Sequence, residues 1–157
     1  MLPDEVLALL AGRPVPGRWD PVIPLLTTDP DGVPRICLLS RAELDVGRHV
    51  VRCAVRSRRT SANLRRGGPA VLLVVGATTS FSVRARVGRT VHDDGGLGAE
   101  LVVTEVEADS LGIPLRSMGF QVDEGLARAE RWDDNEALFA RLATPEAAAL
   151  GGEETSA

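Results

Sequence analysis

The sequence predicts a mainly β protein of the α+β class, namely a small antiparallel β-barrel of about six strands with short flanking helices. Short runs rich in Val, Leu and Ile recur between turn signals, and several alternate apolar and polar residues with the period of a strand. Helical patterns are confined to the two ends and one brief central segment. We expect one domain over residues 1–150, since 157 residues suffice for a single core, and a disordered tail over 151–157.

The first forty residues predict one helix and one hairpin. The stretch PDEVLALLAG indicates a helix over residues 3–11, because its first turn holds two acids where the helix dipole favours them. Residues 13–21, RPVPGRWDP, are expected to be a linker. The sequence DPDG separates two β-rich runs, so residues 22–28 and 33–40 should pair as an antiparallel hairpin.

Four more strands are predicted in the middle of the chain. Residues 48–56, RHVVRCAVR, alternate so that one face of the strand is buried. Residues 69–76 and 80–91 should form a second hairpin, and DDGGLG turns the chain into a further strand at 99–108.

The last part of the chain predicts less. Residues 110–132 favour no single structure, and a last strand is one option. Residues 133–150 are predicted to be a terminal helix with Asp133 or Asp134 near its N-cap.

The composition narrows the class of function. Only 3% of the residues are aromatic, tyrosine is absent and the net charge is −4, so we expect no nucleic-acid partner that stacks bases on side chains. Cys37 and Cys53 lie inside apolar runs without metal-ligand spacing. We therefore expect a cytoplasmic protein in which both cysteines are reduced core residues, and we expect no metal site. The N-terminal apolar stretch is too short for a signal peptide or a membrane span, so no membrane partner is expected.

Positive charge is concentrated in the middle of the chain. Residues 35–89 contain twelve arginines and two acids, a net charge of +10, whereas residues 1–34 and 90–157 have net charges of −3 and −11. Lysine is absent, so every basic side chain is a guanidinium, which holds oxyanions in bidentate fashion and does not deprotonate. This clustering indicates an anion-binding site in the central segment.

The strongest candidate for that site is the stretch SRRTSANLRRGGP, residues 57–69. Ser57 is a good N-cap for a helix that begins at Arg58, and GGP ends it. Arg58 and Arg59 would then lie in the first turn, where the helix dipole disfavours each of them by about 0.3–1 kcal/mol. A bound anion would reverse that effect, because free N–H groups, a capping hydroxyl and two guanidiniums together form a phosphate site.

Other arginines are expected to contribute to the same site. Arg35 opens a strand that could come alongside in a barrel, and Arg52 or Arg56 could add to the positive field. The alternative is that the helix begins later, at residue 60 or 61, and that the two arginines before it are solvated loop charges.

The order of three motifs resembles the pyridoxamine 5′-phosphate oxidase-like family, the FMN-binding split β-barrel. The motifs are TTDPDGVPRICLLS, SRRTSANLRRGGPAVLLVV and VRARVGRTV, and the resemblance covers about residues 20–92. It implies a homodimeric, six-stranded antiparallel split β-barrel with FMN bound at the subunit interface.

The family pattern also implies which residues bind the cofactor. The FMN phosphate would be held by Arg35, Ser57, Arg58 and Arg59. The backbone of Ile36, Cys37 and Leu38 would run beside the flavin ring, and Arg52 and Cys53 match a contact region on the next strand. Ser40 replaces a lysine that is usual in the family's oxidases, and no counterpart of their pyridoxal phosphate-binding region follows Gly119.

The resemblance therefore implies a smaller relative and not the true oxidase. We expect an FMN-dependent oxidoreductase in which the cofactor supplies the redox chemistry, and no side chain stands out as a catalytic acid or base. The alternative is a non-catalytic split-barrel module that binds flavin, deazaflavin or haem.

Overall fold

The computed structural model describes residues 1–144, which form a curled antiparallel sheet with helices packed around it. In chain order the elements are α1 (Asp4–Leu10), β1 (Trp19–Pro21), β2 (Ile23–Thr28), β3 (Pro34–Leu39), a 3-10 turn (Arg41–Glu43), β4 (Leu44–Val46), β5 (Val50–Val55), α2 (Arg58–Arg65), β6 (Pro69–Val75), β7 (Thr79–His92), β8 (Leu97–Ser110), β9 (Gly119–Gln121), α3 (Glu124–Ala129) and α4 (Trp132–Ala143).

Seven of the strands form one sheet in the order β3-β2-β6-β7-β8-β5-β4, with antiparallel pairing throughout. The long β7–β8 pair has register shifts between Arg84 and Ala85 and between Val87 and Thr90. Such irregularities bend and twist an antiparallel pair, which helps the sheet to curl into a half-barrel. The predicted mainly β fold with short helices is therefore confirmed.

The predicted strand number was too low by one in this sheet. The six predicted strands are present as β2, β3, β5, β6, β7 and β8. The seventh, β4, has three residues and pairs with β5 after the 3-10 turn. A segment this short gives no periodic signal in the sequence.

The core lies inside the curl of the sheet. Alternate residues of β5, Val51, Cys53 and Val55, are buried there, as the alternation predicted. On the opposite face of β5, Ala54 is also buried, because Leu138 and Phe139 of α4 cover it. The strand is thus enclosed on both faces at its C-terminal end, next to the start of α2.

The predicted linker at residues 13–21 contains a strand. Its β1 pairs with β9, so that Trp19 lies opposite Gln121 and Pro21 lies opposite Gly119. Buried Asp20 accepts a hydrogen bond of 2.6 Å from Nη2 of Arg41. The strand suggested within residues 110–132 is therefore present as β9. Its partner, β1, lies in the segment that was predicted to be a linker.

The terminal helix begins one residue before its predicted start. Its first residue is Trp132, and the N-cap residue is Arg131, which has a left-handed backbone with φ of 53°. Asp133 and Asp134 lie in the first turn, near the N-cap as predicted, although neither is the N-cap itself. The end of this predicted helix and the predicted tail at 151–157 lie outside the described residues. In the part of the chain that is described, the longest helix has 12 residues, well short of a bilayer span.

Candidate anion-binding site

Helix α2 begins where the sequence predicted. Its first residue is Arg58, and Ser57 Oγ accepts a hydrogen bond of 3.4 Å from the N–H of Thr60. The alternative of a later start is therefore wrong. The N–H groups of Arg58 and Arg59 have no acceptor within the helix, because they belong to its first turn.

The structure brings Arg35 and Arg59 to one cavity, which we call the Arg35 cleft. Its volume is about 390 Å³, and it lies between the β2–β3 hairpin and α2. Its lining residues are Asp29, Pro30, Asp31, Arg35, Arg59, Ala62, Asn63 and Arg66. Arg59 is exposed and Arg35 is partly buried. The α2 residues of this lining lie along one side of the helix, and neither Ser57 nor Arg58 lines the cleft.

An internal carboxylate already occupies part of this cleft. Asp29 Oδ1 accepts from Arg35 Nε at 2.8 Å, Asp29 Oδ2 accepts from Arg35 Nη2 at 2.8 Å, and Asn63 Nδ2 also donates to Oδ1 at 2.8 Å. The hydrogen bond from Arg35, followed by that from Asn63, lowers the pKa of Asp29 to about 2. The Arg35 guanidinium is thus held in place by Asp29, and its Nη1 makes no hydrogen bond to the described residues.

Nothing in the sequence singled out Asp29 as a site residue. A usable signal was present, because DPDG is a hairpin turn and residues that flank such a turn come together. Thr27 lies opposite Arg35 in the observed register. At the turn, the Asp29 N–H donates to Val33 O at 2.9 Å, and Asp29 O accepts from the Gly32 N–H at 2.9 Å.

Arg58 lies in a different cavity, which we call the Arg56 cleft. Its volume is about 480 Å³, and its lining residues are Arg56, Arg58, Ser61, Arg65, Asp93, Asp94, Gly95 and Gly96. Asp93 Oδ1 accepts from the N–H groups of Gly95 and Gly96 at 3.0 and 2.9 Å, and these bonds hold the pKa of Asp93 below its usual value. The two adjacent arginines of α2 thus face separate clefts.

Strand β3 presents an apolar row and a free edge. Ile36 is 63% exposed and Leu38 is 53% exposed, whereas Cys37 points inward, where burial raises the pKa of its thiol. Among the described strands, β3 is at the end of the sheet and pairs on one side only, with β2. Its outer backbone groups are therefore available to a ligand, as the predicted role of residues 36–38 requires.

The two predicted residues of β5 are placed differently. Arg52 Nη1 donates to Asp45 Oδ2 at 3.1 Å, and Arg52 Nε lies 3.7 Å from Glu100 Oε1. Cys53 is fully buried in the core, which raises the pKa of its thiol to about 12. Neither residue lines the Arg35 cleft or the Arg56 cleft.

Comparison with solved structures identifies this fold in other proteins. An F420 reductase is 18% identical with a TM-score of 0.53, over 68% of this chain and 98% of that one. A candidate pyridoxamine 5′-phosphate oxidase from Lactobacillus delbrueckii is 18% identical with a TM-score of 0.54, over 68% and 93%. HupZ from Group A Streptococcus is 12% identical with a TM-score of 0.55, over 74% and 100%.

These similarities confirm the resemblance to the pyridoxamine 5′-phosphate oxidase-like proteins at the level of the fold, which is a split β-barrel. No family model matches the sequence. No curated protein matches it either. Identities of 12–18% do not carry a relative's ligand or activity over to this chain.

Proposed function

We propose that the chain binds FMN through the Arg35 cleft and acts as an FMN-dependent oxidoreductase distinct from pyridoxamine 5′-phosphate oxidase. The observation that supports this most is that Arg35 and Arg59 share a cleft along one side of α2, two residues from its Ser57 N-cap. Two guanidiniums near a helix start with free N–H groups match the chemistry of a phosphate monoester.

The residues of the cleft fit a phosphate, and Asp29 sets a condition on its binding. Because Asp29 takes Nε and Nη2 of Arg35, a phosphate would bind to Nη1 of Arg35 and to Arg59. Asp29 and Asn63 would then act as positioning residues that hold the Arg35 side chain. The lowered pKa keeps Asp29 ionised at neutral pH, so its charge pair with Arg35 is present there.

Strand β3 fits the body of the same cofactor. Exposed Ile36 and Leu38 offer apolar contact, and the free edge of the strand offers backbone donors and acceptors to a flavin ring. A bound flavin would supply hydride transfer, and the chain would supply phosphate binding and ring orientation. The Cys53 side chain is buried in the core, so it could contribute only to core packing next to the cofactor site.

We also propose that the chain forms a homodimer in the cytoplasm, with the cofactor between subunits. Ile36, Leu38, Trp19 and Met118 are each more than half exposed, and a second subunit would cover such apolar side chains. The free thiols of Cys37 and Cys53 are compatible with a reducing compartment. Light scattering of the purified protein should give the mass of a dimer.

A ligand pair that differs only in the phosphate tests the binding site. We expect FMN to bind at least tenfold more tightly than riboflavin, as measured by flavin fluorescence. Arg59→Ala should remove most of that preference and leave riboflavin binding unchanged. Arg65→Ala is the matched control, because Arg65 lies on the same helix and is exposed but lines the other cleft.

Two results would contradict the phosphate site. One is equal affinity for FMN and riboflavin in the unsubstituted protein. The other is an Arg58→Ala variant that loses the preference while Arg59→Ala keeps it, which would move the phosphate to the Arg56 cleft.

Reduction of the bound flavin separates an enzyme from a binding module. Bleaching of the flavin absorption by a reduced nicotinamide would support the oxidoreductase, whereas a bound flavin that no donor reduces would favour the module. The similarity to an F420 reductase makes a deazaflavin the second candidate cofactor. Displacement of FMN by F420 at comparable concentration would favour that candidate.

A further inference from the structure

A third cavity lies beyond the end of β3 and contains acids and aromatic rings. We call it the Glu43 pocket, and its volume is about 170 Å³. The end of β3, the 3-10 turn, β9, α3 and the start of α4 form it. Its lining residues are Val22, Leu38, Ser40, Glu43, Phe120, Leu126, Glu130 and Trp132. This volume is smaller than the about 300–1,000 Å³ of sites for drug-sized ligands, so the pocket suits a small molecule.

Two polar side chains in this lining are deeply buried, Ser40 and Trp132, and each residue is only 6% exposed. Trp132 Nε1 has no hydrogen-bond partner among the described residues, and Ser40 Oγ faces only the Glu43 N–H of a capping box, so its hydroxyl hydrogen has no acceptor there. Buried hydroxyl and indole N–H groups are nearly always hydrogen-bonded in folded proteins. These atoms therefore point to a partner with polar groups that the described residues do not provide.

The charges of the pocket favour a cation. Its lining includes the carboxyl groups of Glu43 and Glu130 and no arginine. Phe120 and Trp132 form an edge-to-face pair with ring centroids 6.4 Å apart, so aromatic surface adjoins the acids. Carboxylates beside aromatic rings are the surroundings in which organic ammonium groups bind.

We propose that the Glu43 pocket binds a small organic cation, namely a protonated amine on an apolar or aromatic body. The ammonium group binds the Glu43 carboxylate and Ser40 Oγ, and the body packs against Phe120, Trp132 and Leu38. An oxygen acceptor on the ligand would also satisfy Trp132 Nε1. None of its residues lines the Arg35 cleft, and it shares Leu38 with the strand face proposed for the flavin ring.

The ionisation of Glu43 gives the site a pH dependence. Burial raises the pKa of Glu43 to about 7, a hydrogen bond from the Ser40 N–H opposes that rise, nearby Glu130 adds to it, and Arg56 lowers it. The thiols of Cys37 and Cys53 also face Glu43 and stay neutral, because burial raises the pKa of each. Since the ammonium needs an ionised carboxylate, affinity should fall about tenfold from pH 8 to pH 6.

Two probes of equal size test the proposal on the full chain. Benzylammonium and benzyl alcohol differ only in the charged group, and calorimetry at pH 8 should show benzylammonium binding at least tenfold more tightly. Trp19→Phe leaves Trp132 as the single tryptophan, because the chain has two. Saturable change in its fluorescence with benzylammonium would place the probe in the pocket.

Matched variants identify the carboxylate. Glu43→Gln should reduce benzylammonium affinity at least tenfold and leave benzyl alcohol unchanged, since glutamine keeps an acceptor for the Ser40 N–H, which donates to Glu43 Oε2 at 3.2 Å. Glu107→Gln is the control, because Glu107 is an exposed acid that pairs with Arg84 on the sheet. It should leave both affinities unchanged. Should Glu43→Gln fail to fold by circular dichroism, Ser40→Ala takes its place and should weaken benzylammonium binding severalfold.

Three results would overturn the proposal. The first is the absence of measurable benzylammonium binding at pH 8. The second is equal affinity for the two probes, which would make the pocket merely apolar. The third is equal weakening by Glu43→Gln and Glu107→Gln, which would show attraction to the acidic surface as a whole.

Discussion

Replacing Glu43 with glutamine should make the protein more stable at pH 8 and should change its stability much less at pH 5. Glu43 is the acid whose folded-state pKa rises from 4.5 to about 7, mainly because burial penalises its charged form. Between these values the folded protein binds a proton that the unfolded chain releases. The stability that this proton provides is present at low pH and is lost as the pH rises through about 7.

The size of the effect follows from the shift. The rise in the pKa of Glu43 from 4.5 to about 7 corresponds to about 3.5 kcal/mol at most, since a pKa difference of one is worth about 1.4 kcal/mol. Glu43 is only partly buried, so screening by solvent reduces this figure. The neutral amide avoids the cost of an ionised carboxyl group, and the gain at pH 8 should lie between about 1 and 3 kcal/mol.

Urea unfolding at pH 5, 6, 7 and 8 measures this directly. The free energy of unfolding of the unsubstituted protein should fall more steeply than that of Glu43→Gln up to about pH 7, and the difference should level off above it. Glu130→Gln is the matched control, because Glu130 has only a secondary effect on the same carboxyl. Parallel curves for the unsubstituted protein and Glu43→Gln would refute the reasoning, as would a variant that is less stable at pH 8.

Two further substitutions test contacts near the proposed sites. Gly119→Ala should cost about 1–3 kcal/mol, because an added Cβ would lie 2.5 Å from Asp20 O and against the Trp19 indole, and faster amide exchange in β1 and β9 would report it. Asp29→Asn should lower stability at neutral pH, with the difference vanishing as the pH falls from about 4 to 2, because Arg35 and Asn63 stabilise the ionised form. Thermal unfolding over that range measures the convergence, and a constant difference would count against it.

The main sheet was predictable because its information is local. A turn sequence joins the two β-rich runs that form β2 and β3. In β5, residues that face the core alternate with residues that face away from it, with the period of a strand. The β1–β9 pair was not predictable. Each strand has three residues, and their pairing joins segments about a hundred residues apart, so no local pattern indicates it.

The candidate site was predictable in part. The N-cap role of Ser57 and the meeting of Arg35 with Arg59 follow from capping and strand order. The separation of Arg58 from Arg59 was not anticipated, although consecutive residues of a helix point about 100° apart. Asp29 was also missed, because an acid in a turn sequence looks like ordinary turn chemistry until the hairpin register places it beside Arg35.

The concentration of arginines in the central segment has more than one cause. Several are neutralised within the chain, since Arg52 lies by Asp45, Arg48 by Asp4 and Arg84 by Glu107. The pairs of Arg48 and Arg84 join the basic segment to the two acidic segments, so much of the charge asymmetry along the sequence is compensated in the fold.

What remains is centred on α2. Within residues 1–144, Arg58, Arg59 and Arg65 form no ion pair, and two of them stand at the positive end of the helix dipole. Their mutual repulsion is unfavourable without a counter-charge, and Asp29 offsets it only on the Arg35 side. A phosphate between Arg35 and Arg59 would therefore reduce the repulsion between positive charges on one side of the helix. Arg58 and Arg65, which line the Arg56 cleft, would still form no ion pair within residues 1–144.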